Sequence, residues 1–278
     1  MAEVTTAELQ EKVRKFLAPG PQPRLRDGVR HSAVEVLTRT VRKGWRTYLV
    51  GGFLRDVVAR PHSHWPRDFD VVVAGCSWDD LNSAFTDIIA GRNRFGGLTL
   101  RRWSEVAGQY HKACELDFDI WRLEDTWAVQ HLRLPHTIEA FVETPFLNID
   151  SVAISIGPGE DYLAVFEHGF FEALRRECVE INQTDNPFPV LCAVRGLIIA
   201  ANLNFLLGPK LAAFVHDLAA RVEVEEFVAA QIGHYGHLRS SREQLERWIL
   251  DVRTQLEAGR DHVRLTTDRS SASRSNTL

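Results

Sequence analysis

The segment from Thr47 to Ala74 limits what this chain can become more than any other stretch of it. Tyr48-Leu49-Val50 is a short apolar run that reads as a strand, Gly51-Gly52 makes a turn, and Phe53 to Ala59 has helical spacing. A proline-bearing loop follows, then a second apolar strand that carries Asp68 and Asp70. Side chains alternate along a strand, so Asp68 and Asp70 share one face while Phe69 and Val71 take the other. Two carboxylates on one face of an apolar strand are costly unless something positive sits on them. Mg²⁺ answers that need, because it takes one or two carboxylates together with phosphate oxygens. Gly51 and Gly52, opening a helix, bring backbone N–H groups and the positive end of a helix dipole to the same unit. A metal-binding carboxylate pair beside a phosphate cradle implies nucleotidyl transfer.

The order strand, Gly-Gly, helix, loop, Asp-x-Asp strand resembles the head of the DNA polymerase β-like nucleotidyltransferases. Within them it is similar to the class II CCA-adding enzymes and the bacterial poly(A) polymerases. Their Gly-Gly-x-(Val/Leu)-Arg-Asp is matched by Gly51-Gly52-Phe53-Leu54-Arg55-Asp56, and their Asp-(Ile/Phe)-Asp by Asp68-Phe69-Asp70. The resemblance covers roughly residues 45–205. It implies an α+β fold, with a mixed sheet flanked by helices and then an α-helical neck. It also implies two Mg²⁺ ions as cofactors and a nucleoside triphosphate (ATP or another NTP) as substrate. In that chemistry Asp68 and Asp70 hold both ions and Gly51 and Gly52 hold the triphosphate. Arg55 either neutralises charge near the phosphates or pairs with Asp56.

A third carboxylate is needed to complete the ion that activates the attacking hydroxyl. Glu115 to Arg122 supplies candidates: Leu116, Phe118 and Ile120 share one strand face, and Asp117 and Asp119 share the other. The family's Val-Glu-Val-Ala-Thr-Phe-Arg strand, aligned on the closing aromatic-Arg, puts its glutamate on Asp117 and leaves Asp119 as an extra acid. Further along, the chain departs from the family. The Arg-Arg-Asp triplet associated there with nucleotide binding falls on Glu143-Thr144-Pro145. The base-reading Asp and Arg at the start of the neck helix fall on Asn186 and Pro189, while Arg195 is kept. Asn186 and Arg195 therefore complete the nucleotide-binding set, and faithful C-then-A addition is not expected. The acceptor hydroxyl is an RNA 3′ end, such as that of a tRNA, or another acceptor. The alternative function is a catalytically retired head that serves as a binding module.

The rest of the chain is less specific. Residues 5–17 and 28–43 have amphipathic helical spacing, and Ser77 to Asp80 reads as a capped start of a helix reaching about Ala90. Leu98 to Trp103 and Thr144 to Ile156 read as strands, and 187–203, 209–220, 223–232 and 240–257 as helices. Arg92, Arg94, Arg101 and Arg102 form a local basic cluster on a chain whose formal charge is −4, read first as a solvated face. His131 and His136 read as surface residues. Cys76, Cys114, Cys178 and Cys192 lack metal-ligand spacing and read as reduced core cysteines of a cytoplasmic protein. No apolar run of membrane-spanning length appears. The expected organisation is N-terminal helices packing on the head over 1–45, the transferase head over 46–184, a helical neck over 185–258 and a disordered tail over 259–278. The sequence leaves the oligomeric state open.

Overall fold

The computed structural model describes residues 4–18, 24–59, 68–103, 115–157 and 162–267, with side chains for all of these except 24–32, 68, 101–103 and 115–117. The chain divides into two compact units, residues 1–145 with 149–171 and residues 146–148 with 172–278.

In the first unit α1 (Thr6–Leu17) begins where the Thr5 hydroxyl accepts the Glu8 N–H, and α2 (Arg24–Arg42) follows. Then come β1 (Arg46–Val50), α3 (Gly52–Ala59) and β2 (Asp68–Ala74). Next are α4 (Trp78–Phe85), β3 (Ile89–Arg92), β4 (Leu98–Trp103), β5 (Glu115–Arg122), α5 (Trp127–His131) and α6 (Ile138–Phe141). β6 (Val152–Ile156) and β7 (Val165–Glu167) complete a seven-stranded sheet in the order β3-β4-β5-β2-β1-β6-β7. Only β2 and β5 run parallel; the other neighbours are antiparallel. The fold class is α+β, as the sequence implies.

Alternation along β2 builds two different layers. Phe69 stacks on Phe118 of β5 at 5.0 Å and 14° between ring planes. Phe53 of α3 and Phe16 of α1 close over Phe69 at 4.8 and 5.8 Å, so these helices cover that face. On the other face Val72 and Ala74 join Tyr48, Val50 and Ala153 in a core capped by Ile138 and Val142. Asp70 is on this second face, near the start of β2.

The capping box at Ser77 and Asp80 forms as expected. The helix it opens ends at Phe85 instead of reaching Ala90. Residues 89–92 are recruited as an edge strand against β4, and Gly91 has little helical preference to oppose that pairing. The strand expected from Thr144 begins only at Val152, because Asn148–Asp150 form a 3₁₀ turn.

The second unit contains most of α7 (Phe170–Arg176), then β8 (Cys178–Val179), α8 (Pro189–Leu203), β9 (Leu206–Leu207), α9 (Pro209–Ala219), α10 (Val224–Tyr235) and α11 (Arg242–Glu257). The parallel β8–β9 pair was not legible in the sequence. The proline at the first position of α8 is Pro189, not Pro187; its missing N–H is one that a helix start leaves unbonded anyway. Cys76, Cys178 and Cys192 are free and buried, and burial pushes their thiols up to about 11, about 11 and about 12. Cys114 lies outside the described residues, as does the expected disordered tail from residue 268 onward. The first part of that tail is instead ordered, with Val263 bridged to Leu207, Val263 and Leu265 buried, and Thr266 bonded to Asp251, because two apolar side chains there find a place in the core of the second unit. Among the described residues no helix is long and apolar enough to cross a membrane.

Candidate active site

The site is assembled at one end of the parallel β2–β5 pair. In-register pairing sets Asp68 opposite Asp117 and Asp70 opposite Asp119. Adjacent strands are about 4.8 Å apart and residues two apart along a strand about 6.8 Å, so four acidic positions form a small rectangle, an acidic corner at this end of two central strands. The side chains of Asp68 and Asp117 lie outside the described residues. Those of Asp70 and Asp119 are half-buried. Asp119 accepts a 2.6 Å hydrogen bond from the Thr99 hydroxyl, which faces it across β4 and β5. Thr99 escaped the sequence reading; its place in an alternating strand beside a basic run was the only available signal.

Gly51 lies beside this corner. Its φ of +68° belongs to the left-handed region that glycine tolerates best. A Cβ there would stand 3.7 Å from Oδ2 of Asp70 and 3.9 Å from the Asp150 carbonyl oxygen. Glycine thus keeps the turn free of a side chain beside the Asp70 carboxylate. The expectation that both glycines offer N–H groups to phosphate divides here. The Gly51 N–H donates to the Val152 carbonyl at 3.0 Å and is spent on the sheet. Gly52 is the first residue of α3, where N–H groups have no partner within the helix.

Arg55 resolves towards pairing. Its Nε donates to Asp56 at 2.8 Å and its Nη1 to Asp150 at 2.5 Å, with side chains of Arg55 and Asp150 only 13% and 10% exposed. Both acids hold the guanidinium against the turn, and a Cβ on Gly52 would lie 3.4 Å from Nη2 of Arg55. Asp150 is the partner that sequence reasoning did not choose, 95 residues away in the chain and brought in by the 3₁₀ turn before β6.

Asn186 and Arg195 belong to the second unit. The Asn186 carboxamide oxygen accepts the Phe188 N–H at 2.9 Å, a local turn that leads into α8. Arg195 Nη1 is 3.3 Å from Nε2 of His234 on α10.

Among the described residues no three His, Cys, Asp or Glu side chains gather as a metal site, and two of the four acids at the corner are outside that set. Carboxylate oxygens in adjacent register, beside a turn with no Cβ to cover them, nevertheless suit a hard divalent cation such as Mg²⁺.

Neither a protein-family model nor a curated protein sequence matches the chain. Solved structures do. A tRNA nucleotidyltransferase complexed with a primer tRNA and an incoming ATP analogue superposes with a TM-score of 0.52 at 20% identity, covering 81% of this chain and 61% of that one. The Bacillus stearothermophilus CCA-adding enzyme in complex with CTP gives 0.53 at 16% identity, covering 83% and 52%. A tRNA-processing enzyme in an apo form gives 0.52 at 21%, covering 80% and 59%. The chain spans about three fifths or less of the length of these proteins and shares their fold.

Proposed function

We propose that this chain is an Mg²⁺-dependent nucleotidyltransferase that moves a nucleoside monophosphate from an NTP to an acceptor hydroxyl. The observation that carries the reading is the pairing of Asp68 with Asp117 and of Asp70 with Asp119 beside the Gly51-Gly52 turn. Four acids brought together at one end of two neighbouring strands repel each other, and a cation held between them offsets that cost.

Asp68, Asp70 and Asp117 would hold the two Mg²⁺ ions, which supply charge neutralisation at the phosphates and a lowered pKa for the attacking hydroxyl. The chain's own groups do the positioning. Thr99 fixes the orientation of Asp119, and the Arg55 clasp on Asp56 and Asp150 holds the start of α3 in place. The free N–H of Gly52 at that helix start then faces the triphosphate end of the substrate. The hydroxyl oxygen attacks the α-phosphorus and pyrophosphate leaves. The first unit serves as the transferase head and the second, with Asn186 and Arg195, as the neck. The acceptor is an RNA 3′ end, the kind of substrate present in the tRNA-bound neighbour, and a faithful CCA synthase is disfavoured by the replaced base-reading residues.

A retired head used for binding is the second reading, favoured by the loss of the Arg-Arg-Asp triplet and by the engaged N–H of Gly51. Labelled NTPs, Mg²⁺ and total RNA separate the two. Transfer of label with pyrophosphate release is expected, abolished by EDTA and by Asp68→Ala or Asp70→Ala with the fold intact by circular dichroism. Full activity in the double variant would sink the transferase reading.

A further inference from the structure

At the other end of β5 the first unit carries a second concavity. It is a groove of about 510 Å³ lined by Arg94, Phe95, Asp125, Trp127, Gln130 and His131. Arg122 closes β5, three residues beyond Asp119, so the end of the strand is about 10 Å from the nearest of the four acids. None of those acids lines the groove.

Its walls are aromatic and fixed. The indole of Trp127 and the imidazole of His131, one turn apart on α5, stack at 4.6 Å with 13° between planes, and His131 is exposed. Phe95 is held opposite by the β3–β4 turn. There the Asn93 carboxamide oxygen accepts the N–H groups of Phe95 and Gly97 at 3.0 Å each, and Arg92 donates to the Gly96 carbonyl at 2.8 Å. Arg92 also lies over the Trp78 ring at 4.5 Å. Gln130 donates its amide to the Glu124 carbonyl, which leaves its side-chain oxygen as an acceptor in the groove.

The one acid of the lining is already engaged, by an arginine that Glu124 shares at 3.9 Å. Asp125 is the only acid in the lining, and its carboxylate is bonded to Arg122 at 2.6 Å; Arg122 in turn donates to the Cys76 carbonyl at 2.7 Å. Arg94 adds a cation to the lining itself. Aromatic faces for bases with arginines for the backbone are the means by which proteins hold single strands without reading their sequence. A duplex keeps its bases stacked inside and has nothing to offer such faces.

We infer that this groove binds single-stranded nucleic acid, with a base stacked on the Trp127–His131 pair or against Phe95 and the phosphate beside it drawn by Arg94. The inference stands on the groove alone and not on the transferase reading.

The test is fluorescence anisotropy of a labelled short oligoadenylate with the full chain in EDTA, where no transfer occurs. Trp127→Ala and Arg94→Ala are each expected to weaken binding about fivefold or more, the scale of one lost stacking or backbone contact. Trp127→Phe, which keeps an aromatic face, should bind within about twofold of the wild type, and so separates loss of stacking from loss of fold. Absence of binding, wild-type affinity in both alanine variants, equal binding of a blunt duplex, or AMP competing as tightly as the oligomer would each overturn the proposal.

Discussion

Asp117 and Asp119 are the two residues between which the proposed chemistry must choose. They share a strand face in sequence, and the register separates them: Asp117 stands opposite Asp68, Asp119 opposite Asp70. Asp119 already has a defined neutral partner in Thr99, which orients it without neutralising it. The alignment of Trp121-Arg122 with the resembled family places Asp117 as the acid that completes the hydroxyl-side ion. Asp117→Ala is therefore expected to lower the rate by about a hundredfold or more, since a lost metal ligand removes several kcal/mol of charge stabilisation. Asp119→Ala should cost less. Single-turnover rates for the two variants decide the matter. If Asp119 is the more sensitive, the alignment is out by two residues, and if neither matters this strand face is solvated surface. The same scale shows where sequence reading stops. Asp68, Asp70 and Gly51 were legible because a strand's two-residue period and a glycine turn are local properties. Asp150 was not, because its bond to Arg55 closes over 95 residues and no local pattern announces it.

Elements were legible to the extent that their ends are written locally. The capping box fixed the start of α4, and the periodicity of 5–17 anticipated α1 to within a residue of its observed start. What failed were stretches whose state is decided by a distant partner: residues 89–92 become strand by pairing with β4, and β8 and β9 are two residues each and exist through each other. Packing between helices is likewise invisible in the sequence, and Gly196 on α8 gives a test of it. A Cβ at Gly196 would stand 3.0 Å from both Cδ atoms of Leu211 on α9, and Leu211 is fully buried with little room to give. Alanine would gain about 1 kcal/mol in helix propensity. Overpacking costs about 1–3 kcal/mol, so the contact outweighs the propensity. Gly196→Ala is expected to lower the urea midpoint by the equivalent of about 1 kcal/mol, and Gly196→Val by more. A raised midpoint for Gly196→Ala would show that α8 and α9 are not in close contact at this point.

In the proposed reading, nucleotide choice falls to residues of the second unit, while the acids stand in the first. In the resembled family an Asp and an Arg at the start of the neck helix read the base edge. Here Pro189 occupies the arginine's position and serves as the first residue of α8, with no side-chain donor to offer. Asn186 has its carboxamide oxygen bonded to the Phe188 N–H, so its amide donors are what remain for a base. A base-reading pair rejects wrong bases because unmatched buried polar groups go unpaired, at about 1–3 kcal/mol each. With one partner gone and the other half engaged, a single hydrogen bond of about 1.4 kcal/mol is left, which corresponds to about tenfold between the best and second-best NTP. Competition among the four NTPs in the transfer assay measures this directly, and Asn186→Ala should flatten the residual preference while leaving the rate for the second-best nucleotide nearly unchanged. Strict C-then-A addition to a tRNA end would refute this reading, and would require that Arg195 or another group of the second unit has taken over the base edge.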